Sequence, residues 1–86
     1  MLKKQLVVNN HTGLHARPAS DLATLCQKFD SNIIIKSGTM EINPKSVISI
    51  LAGGVNQGQM ITLQIDGPDE EAAGEKIEEF MMNLSD

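Results

Sequence analysis

The chain has 86 residues, 41% hydrophobic and 21% charged, with a formal net charge of -4. That is enough for one domain with a modest core, too short for two, and too apolar for disorder. The acidic balance argues against a nucleic-acid binder, which needs a basic stripe to neutralise phosphates, and the absence of Trp and Tyr removes the usual stacking platforms.

Both aromatic residues are Phe, so the core is expected to be aliphatic. Leu2, Lys4, Leu6 and Val8 alternate with Lys3, Gln5 and Val7, a first strand with one face inward. Its apolar stretch is too short for a signal peptide, and no run approaches a membrane span. Gly13 suggests a tight turn, and Pro18 fits the first turn of a helix, where its missing N–H has no intrahelical partner anyway. Beyond it Ala19, Leu22, Ala23, Cys26 and Phe29 recur at spacings of three and four, predicting an amphipathic helix over about 16 to 28. Cys26 is read as a small buried helix residue. As the lone cysteine it excludes an internal disulfide and suits a reducing cytoplasm.

"NIIIK", residues 32 to 36, is a β-branched run of strand length, and the chain is expected to turn at Ser37-Gly38. Met40 and Ile42 alternate with Glu41 in a short hairpin partner. Pro44 pushes Asn43 towards extended geometry, and Ser46 can cap a short helix carrying Val47, Ile48, Ile50 and Leu51, stopped by Gly53-Gly54. Ile61, Leu63 and Ile65 mark a fourth strand. "GPDEEA" then makes a turn and puts acidic residues where a helix N-terminus favours them. Ala73, Ile77, Phe80, Met81 and Leu84 form the inward stripe of the last helix, in which Gly74 costs roughly 1 kcal/mol relative to alanine. With no repeat or linker, residues 1–86 form a single α+β domain in the order β-α-β-β-α-β-α, with helices covering one sheet face.

His15 and Arg17 stand at the opening of the first helix, where backbone donors lack partners and the macrodipole favours negative charge. A neutral imidazole is nucleophilic, and histidine side chains titrate near about pH 6.5. Attack on phosphorus would leave a dianionic group for the N–H groups of residues 16 and 17 and the Arg17 guanidinium to receive. The competing reading is a capping histidine beside a solvated arginine. No second ligand lies at a metal-binding interval from His15, and no spacing sets a base beside a nucleophile for hydrolysis. His11 is read as an exposed loop residue.

"TGLHARPAS", residues 12 to 20, closely resembles the active-site segment of the HPr family, the histidine-containing phosphocarriers of the bacterial phosphotransferase system. "INPKSVISIL", residues 42 to 51, is similar to the family's serine segment, and the element order matches across essentially the whole chain. The resemblance implies an HPr-like open-faced β-sandwich, with three helices over one face of a four-stranded antiparallel sheet. It implies that His15 accepts phosphate on Nδ1 from phosphorylated enzyme I and passes it to the IIA domain of a sugar permease, with phosphoenolpyruvate as ultimate donor. Arg17 matches the phosphate-neutralising arginine, and Ser46 the residue that an ATP-dependent HPr kinase/phosphorylase modifies in many Gram-positive members, a mark read by a catabolite-control transcription factor. The expected protein is a cytoplasmic, monomeric carrier, not an enzyme, with no cofactor and no metal.

A carrier also needs an exposed apolar patch for its partners. Val47, Ile48 and Leu51 are the candidates, with Ile48 expected to face outward. Two positions depart from the family: Gly53 stands where a large apolar residue is usual and is expected to loosen that helix end, and Pro44 is unusual before the serine. Two alternatives follow from the same resemblance: a nitrogen-regulatory phosphocarrier, and a non-carrying regulator that binds a transcription factor. Retention of His15 weighs against the second.

Overall fold

Period-two alternation builds the sheet. In a computed structural model of the chain, which describes residues 1–9 and 13–84, the strands are β1 (Leu2–Val7), β2 (Asn32–Ser37), β3 (Met40–Ile42) and β4 (Met60–Asp66). Ile33, Ile35, Ile61, Leu63 and Ile65 are buried on one face, while Lys36, Met60 and Asp66 lie exposed on the other. All pairings are antiparallel and the strand order is β1-β4-β2-β3. The helices α1 (Ala16–Cys26), α2 (Val47–Gly53) and α3 (Glu70–Met82) cover the aliphatic face. Leu22 and Ala23 from α1, Ile50 from α2, and Ala73, Ile77 and Met81 from α3 complete the core. Fully burying one such aliphatic side chain contributes roughly 1.5–3 kcal/mol.

Two local expectations change. The β2–β3 register pairs Ser37 with Met40, so the two-residue turn is Gly38-Thr39, with Gly38 at φ +61°. Ser37 stays in the strand because it is buried and its hydroxyl accepts a hydrogen bond from Gln59 Nε2. Gly53 does not loosen the end of α2: a Cβ there would overlap the buried Ile42 side chain, so glycine lets the helix end sit directly on β3. Gly54, at φ 62° and ψ 41°, then closes the helix in the left-handed conformation. Gly74 likewise brings α3 against β1, since a Cβ there would meet the Leu2 side chain.

At the far end of the sheet, the Asp69 carboxylate holds the segment between α1 and β2. Oδ2 accepts from Asp30 N–H (2.8 Å), and Oδ1 accepts from Ser31 N–H (3.0 Å) and from the Ser31 hydroxyl. The Ser31 hydroxyl bond, followed by the backbone bond from Asp30, holds this carboxyl below its ordinary value of 3.8. The folded state therefore takes up the proton less readily than the unfolded chain. The stability linked to Asp69 is complete above that ordinary value and is lost as pH falls through the lower folded value. Asp69→Asn should be less stable than the parent at neutral pH, with the gap closing below about pH 4. Urea unfolding across that range checks it, and a gap independent of pH would assign the loss to packing alone.

Candidate phosphoryl-acceptor site

The chain leaving β1 is pinned before it reaches α1. Gly58 N–H donates to Val8 O (2.7 Å) and Val8 N–H to Gln59 O (3.0 Å), fixing the loop before β4 against the end of β1. Leu14 is buried, and its N–H donates to Val55 O (3.0 Å). Gly13 is also buried, at φ +62°, so close to Val55 and Asn56 that a Cβ would overlap their backbone. His15 emerges from this anchor as the N-cap of α1, with φ -90° and ψ -164°. Its carbonyl accepts the first helical bond from Ala19 N–H (2.8 Å), but its side chain makes no capping hydrogen bond. The imidazole is exposed instead.

Arg17 is exposed in the first turn of the helix and, among the described residues, makes no ion pair. No acidic side chain occupies the first turn of α1 to compete for it. The N–H groups of Ala16 and Arg17 lie where helix geometry supplies no acceptor, and Pro18 has no N–H to satisfy. The sequence therefore brings together a nucleophile, two oriented donors and a cation at one helix end. His11 lies outside the described residues.

Helix α3 runs beside β1 in the same direction: Gly74 meets Leu2, and Lys4 Nζ lies 2.9 Å from Glu78 Oε1. Its C-terminal end consequently reaches the His15 end of the molecule. There α1 and α3 flank an open depression of about 720 Å³, lined by His15, Arg17, Pro18, Phe80, Asn83 and Leu84 among others. Such an open surface suits presentation of a group to another macromolecule more than enclosure of a small substrate.

The second motif forms the start of α2. Ser46 is half-buried with extended backbone, and its Oγ accepts from Ser49 N–H at 3.2 Å. Pro44 is buried in the turn before it, closed by Ser46 N–H to Asn43 O (3.0 Å). Of the expected apolar patch, Ile48 is 81% exposed and Leu51 45%, while Val47 is half-buried and packs against the core. Cys26 is fully buried, and burial pushes its thiol up to about 12 against the opposing charge of Lys45, which keeps it from acting as a nucleophile. Periodicity did not reveal Lys45 or Gln27 as linking residues: they join α1 to α2 through bonds to backbone carbonyls that no local pattern announces.

The family model described as the PTS HPr component phosphorylation site matches residues 2–83. The phosphocarrier protein HPr of Mycoplasma capricolum is 39% identical, covering 99% of this chain and 96% of its own length. That of Xylella fastidiosa is 36% identical over 96% of this chain and 93% of its own. HPr from Thermoanaerobacter tengcongensis superposes with a TM-score of 0.91 at 34% identity, covering 95% of this chain and 92% of that one. The chain belongs to the HPr family of phosphotransferase-system phosphocarriers.

The anchor at Gly13 makes a direct prediction. Gly13→Ala should destabilise the domain by at least about 2 kcal/mol, because the new Cβ meets both a left-handed backbone and the Val55 carbonyl. Denaturant unfolding measures this, and a loss under about 0.5 kcal/mol would mean that the loop can yield without cost.

Proposed function

We propose that this protein is a cytoplasmic, monomeric relay in which His15 accepts a phosphoryl group from phosphorylated enzyme I and delivers it to the IIA domain of a sugar permease. Phosphoenolpyruvate is the ultimate donor. The observation that carries this reading is the exposed His15 imidazole, free of a capping bond, beside an Arg17 that makes no ion pair among the described residues.

The step is a displacement at phosphorus. The Nδ1 lone pair of neutral His15 forms the N–P bond while the bond from phosphorus to its donor atom breaks, its electron pair staying with the donor. The N–H groups of Ala16 and Arg17, the positive end of the helix dipole and the Arg17 guanidinium then stabilise the phosphoryl oxygens. Delivery reverses the step onto an acceptor. A site with one guanidinium and one helix end holds phosphate loosely enough to release it, which a deep cationic pocket would not.

Incubation with phosphoenolpyruvate and enzyme I tests the acceptor. His15→Ala should take up no acid-labile phosphate while melting at the parent temperature, because the exposed side chain makes no capping bond. Phosphate still appearing on that variant would remove the reading. Arg17→Lys should slow transfer roughly tenfold despite the retained charge, since an ammonium cannot reproduce the planar two-pronged contact. Wild-type rates in both directions would reduce Arg17 to a solvated charge.

Ser46 is the regulatory residue of this reading, modified by an HPr kinase/phosphorylase, with a catabolite-control transcription factor as the partner that reads the mark. Its hydroxyl already accepts a helix N–H, so a phosphate would add charge where a helix start tolerates it. That charge would stand on the same short helix as the exposed Ile48 and oppose docking of enzyme I by desolvation and repulsion. Ser46→Asp should therefore leave the melting temperature within a few degrees of the parent and slow phosphate acceptance at His15. A large drop in melting temperature, or unchanged kinetics, would leave Ser46 as a plain helix cap.

A further inference from the structure

The segment joining α1 to β2 is gripped from two sides. Asp69 takes its donors, the N–H groups of Asp30 and Ser31 and the Ser31 hydroxyl. Lys45 takes its acceptors: the ammonium donates to Phe29 O (2.8 Å) and Ser31 O (3.0 Å). Gln27 Nε2 returns a bond to Lys45 O (2.9 Å). Three hydrogen bonds thus run between residues 27–31, from the C-cap of α1 to the start of β2, and the residue immediately before Ser46.

Helix α2 needs such tethers. Its seven residues span only about 10 Å, and isolated helices of that length are not stable in water. Ile50 is its one fully buried side chain. Its direction is therefore set by its two ends: Gly53 resting on Ile42 at one, and the Lys45–Gln27 bonds at the other. Helix α1 carries His15 and Arg17 at its start, and its C-cap Gln27 and the segment after it receive these bonds, so tying α2 there fixes Ile48 and Leu51 relative to the imidazole.

We propose that Lys45 is a positioning residue for phosphoryl transfer, holding the exposed face of α2 in register with His15 so that one partner engages both. This rests on the reading that His15 and the α2 face meet the same protein. Lys45 works through the backbone carbonyls of Phe29 and Ser31 and is not assigned a contact with the phosphoryl group. Its removal leaves Asp30 and Ser31 held by Asp69, which confines the change to the approach to α2.

The test is steady-state phosphoryl uptake from phosphorylated enzyme I by the parent, Lys45→Met, Lys45→Arg and His15→Ala, each below its own melting temperature. Lys45→Met should raise KM for enzyme I about tenfold with kcat within about twofold, and Lys45→Arg, which keeps the donors, should recover most of the loss. Wild-type KM in Lys45→Met, with or without a lowered melting temperature, overturns the positioning role. So does a fall in kcat at unchanged KM. If Lys45→Met does not fold, Gln27→Ala, which deletes one of the three bonds, should raise KM in the same direction by a smaller factor, and an unchanged KM there overturns the proposal. Phosphate uptake by His15→Ala would instead defeat the acceptor reading, and an unchanged KM in Ile48→Glu, which alters the exposed α2 face directly, would defeat the reading that this face meets enzyme I, so the failures separate.

Discussion

The close approach of Gly13 to the Val55 backbone is the constraint on which the site depends. It lets the chain bury Leu14 and begin a helix with a histidine whose side chain is exposed. The loop that supplies Val55 is itself fastened to the end of β1. The exposed His15 thus stands on a backbone held from below, which is how a rigid scaffold can place a reactive group without enclosing it.

Among the described residues, the His15 end of the molecule is open at its surface. Positive charge comes from a helix start and from Arg17, both on the outside, while the depression beside them is bounded by α3. The opposite end carries the fastenings. Asp69 and Lys45 divide the hydrogen-bonding groups of the segment after α1 between them, one taking donors and the other acceptors. No helix among the described residues is long and apolar enough to cross a membrane. The exposed helix start and the fastened segment thus lie at opposite ends of the molecule.

Much of this was legible because local patterns carried it. Alternation in β1 and β4, the three-four spacing after Pro18, and the Ser46 cap all appear where period and capping chemistry put them. The outward position of Ile48 followed from the narrowness of a two-turn helix. What was not legible arose from contacts between residues distant in the chain. Gly53 reads in isolation as a weak helix end, yet it is the point where α2 rests on Ile42. The turn at Gly38-Thr39 was misplaced by one residue because the pairing of Ser37 with Met40, and its hydroxyl bond to Gln59, are set by β4 and its loop. The imidazole's lack of a capping bond, which separates a presented nucleophile from a structural cap, needed coordinates.

The most direct measurement is the location of the phosphoryl group after enzyme I and phosphoenolpyruvate have acted on the intact protein. The chain holds two histidines, His11 and His15, so nitrogen–phosphorus correlation by NMR on labelled protein distinguishes both the residue and the ring nitrogen. The account predicts a single phosphoramidate on Nδ1 of His15. A phosphate on His11, on Nε2 of His15 or on a serine would contradict it.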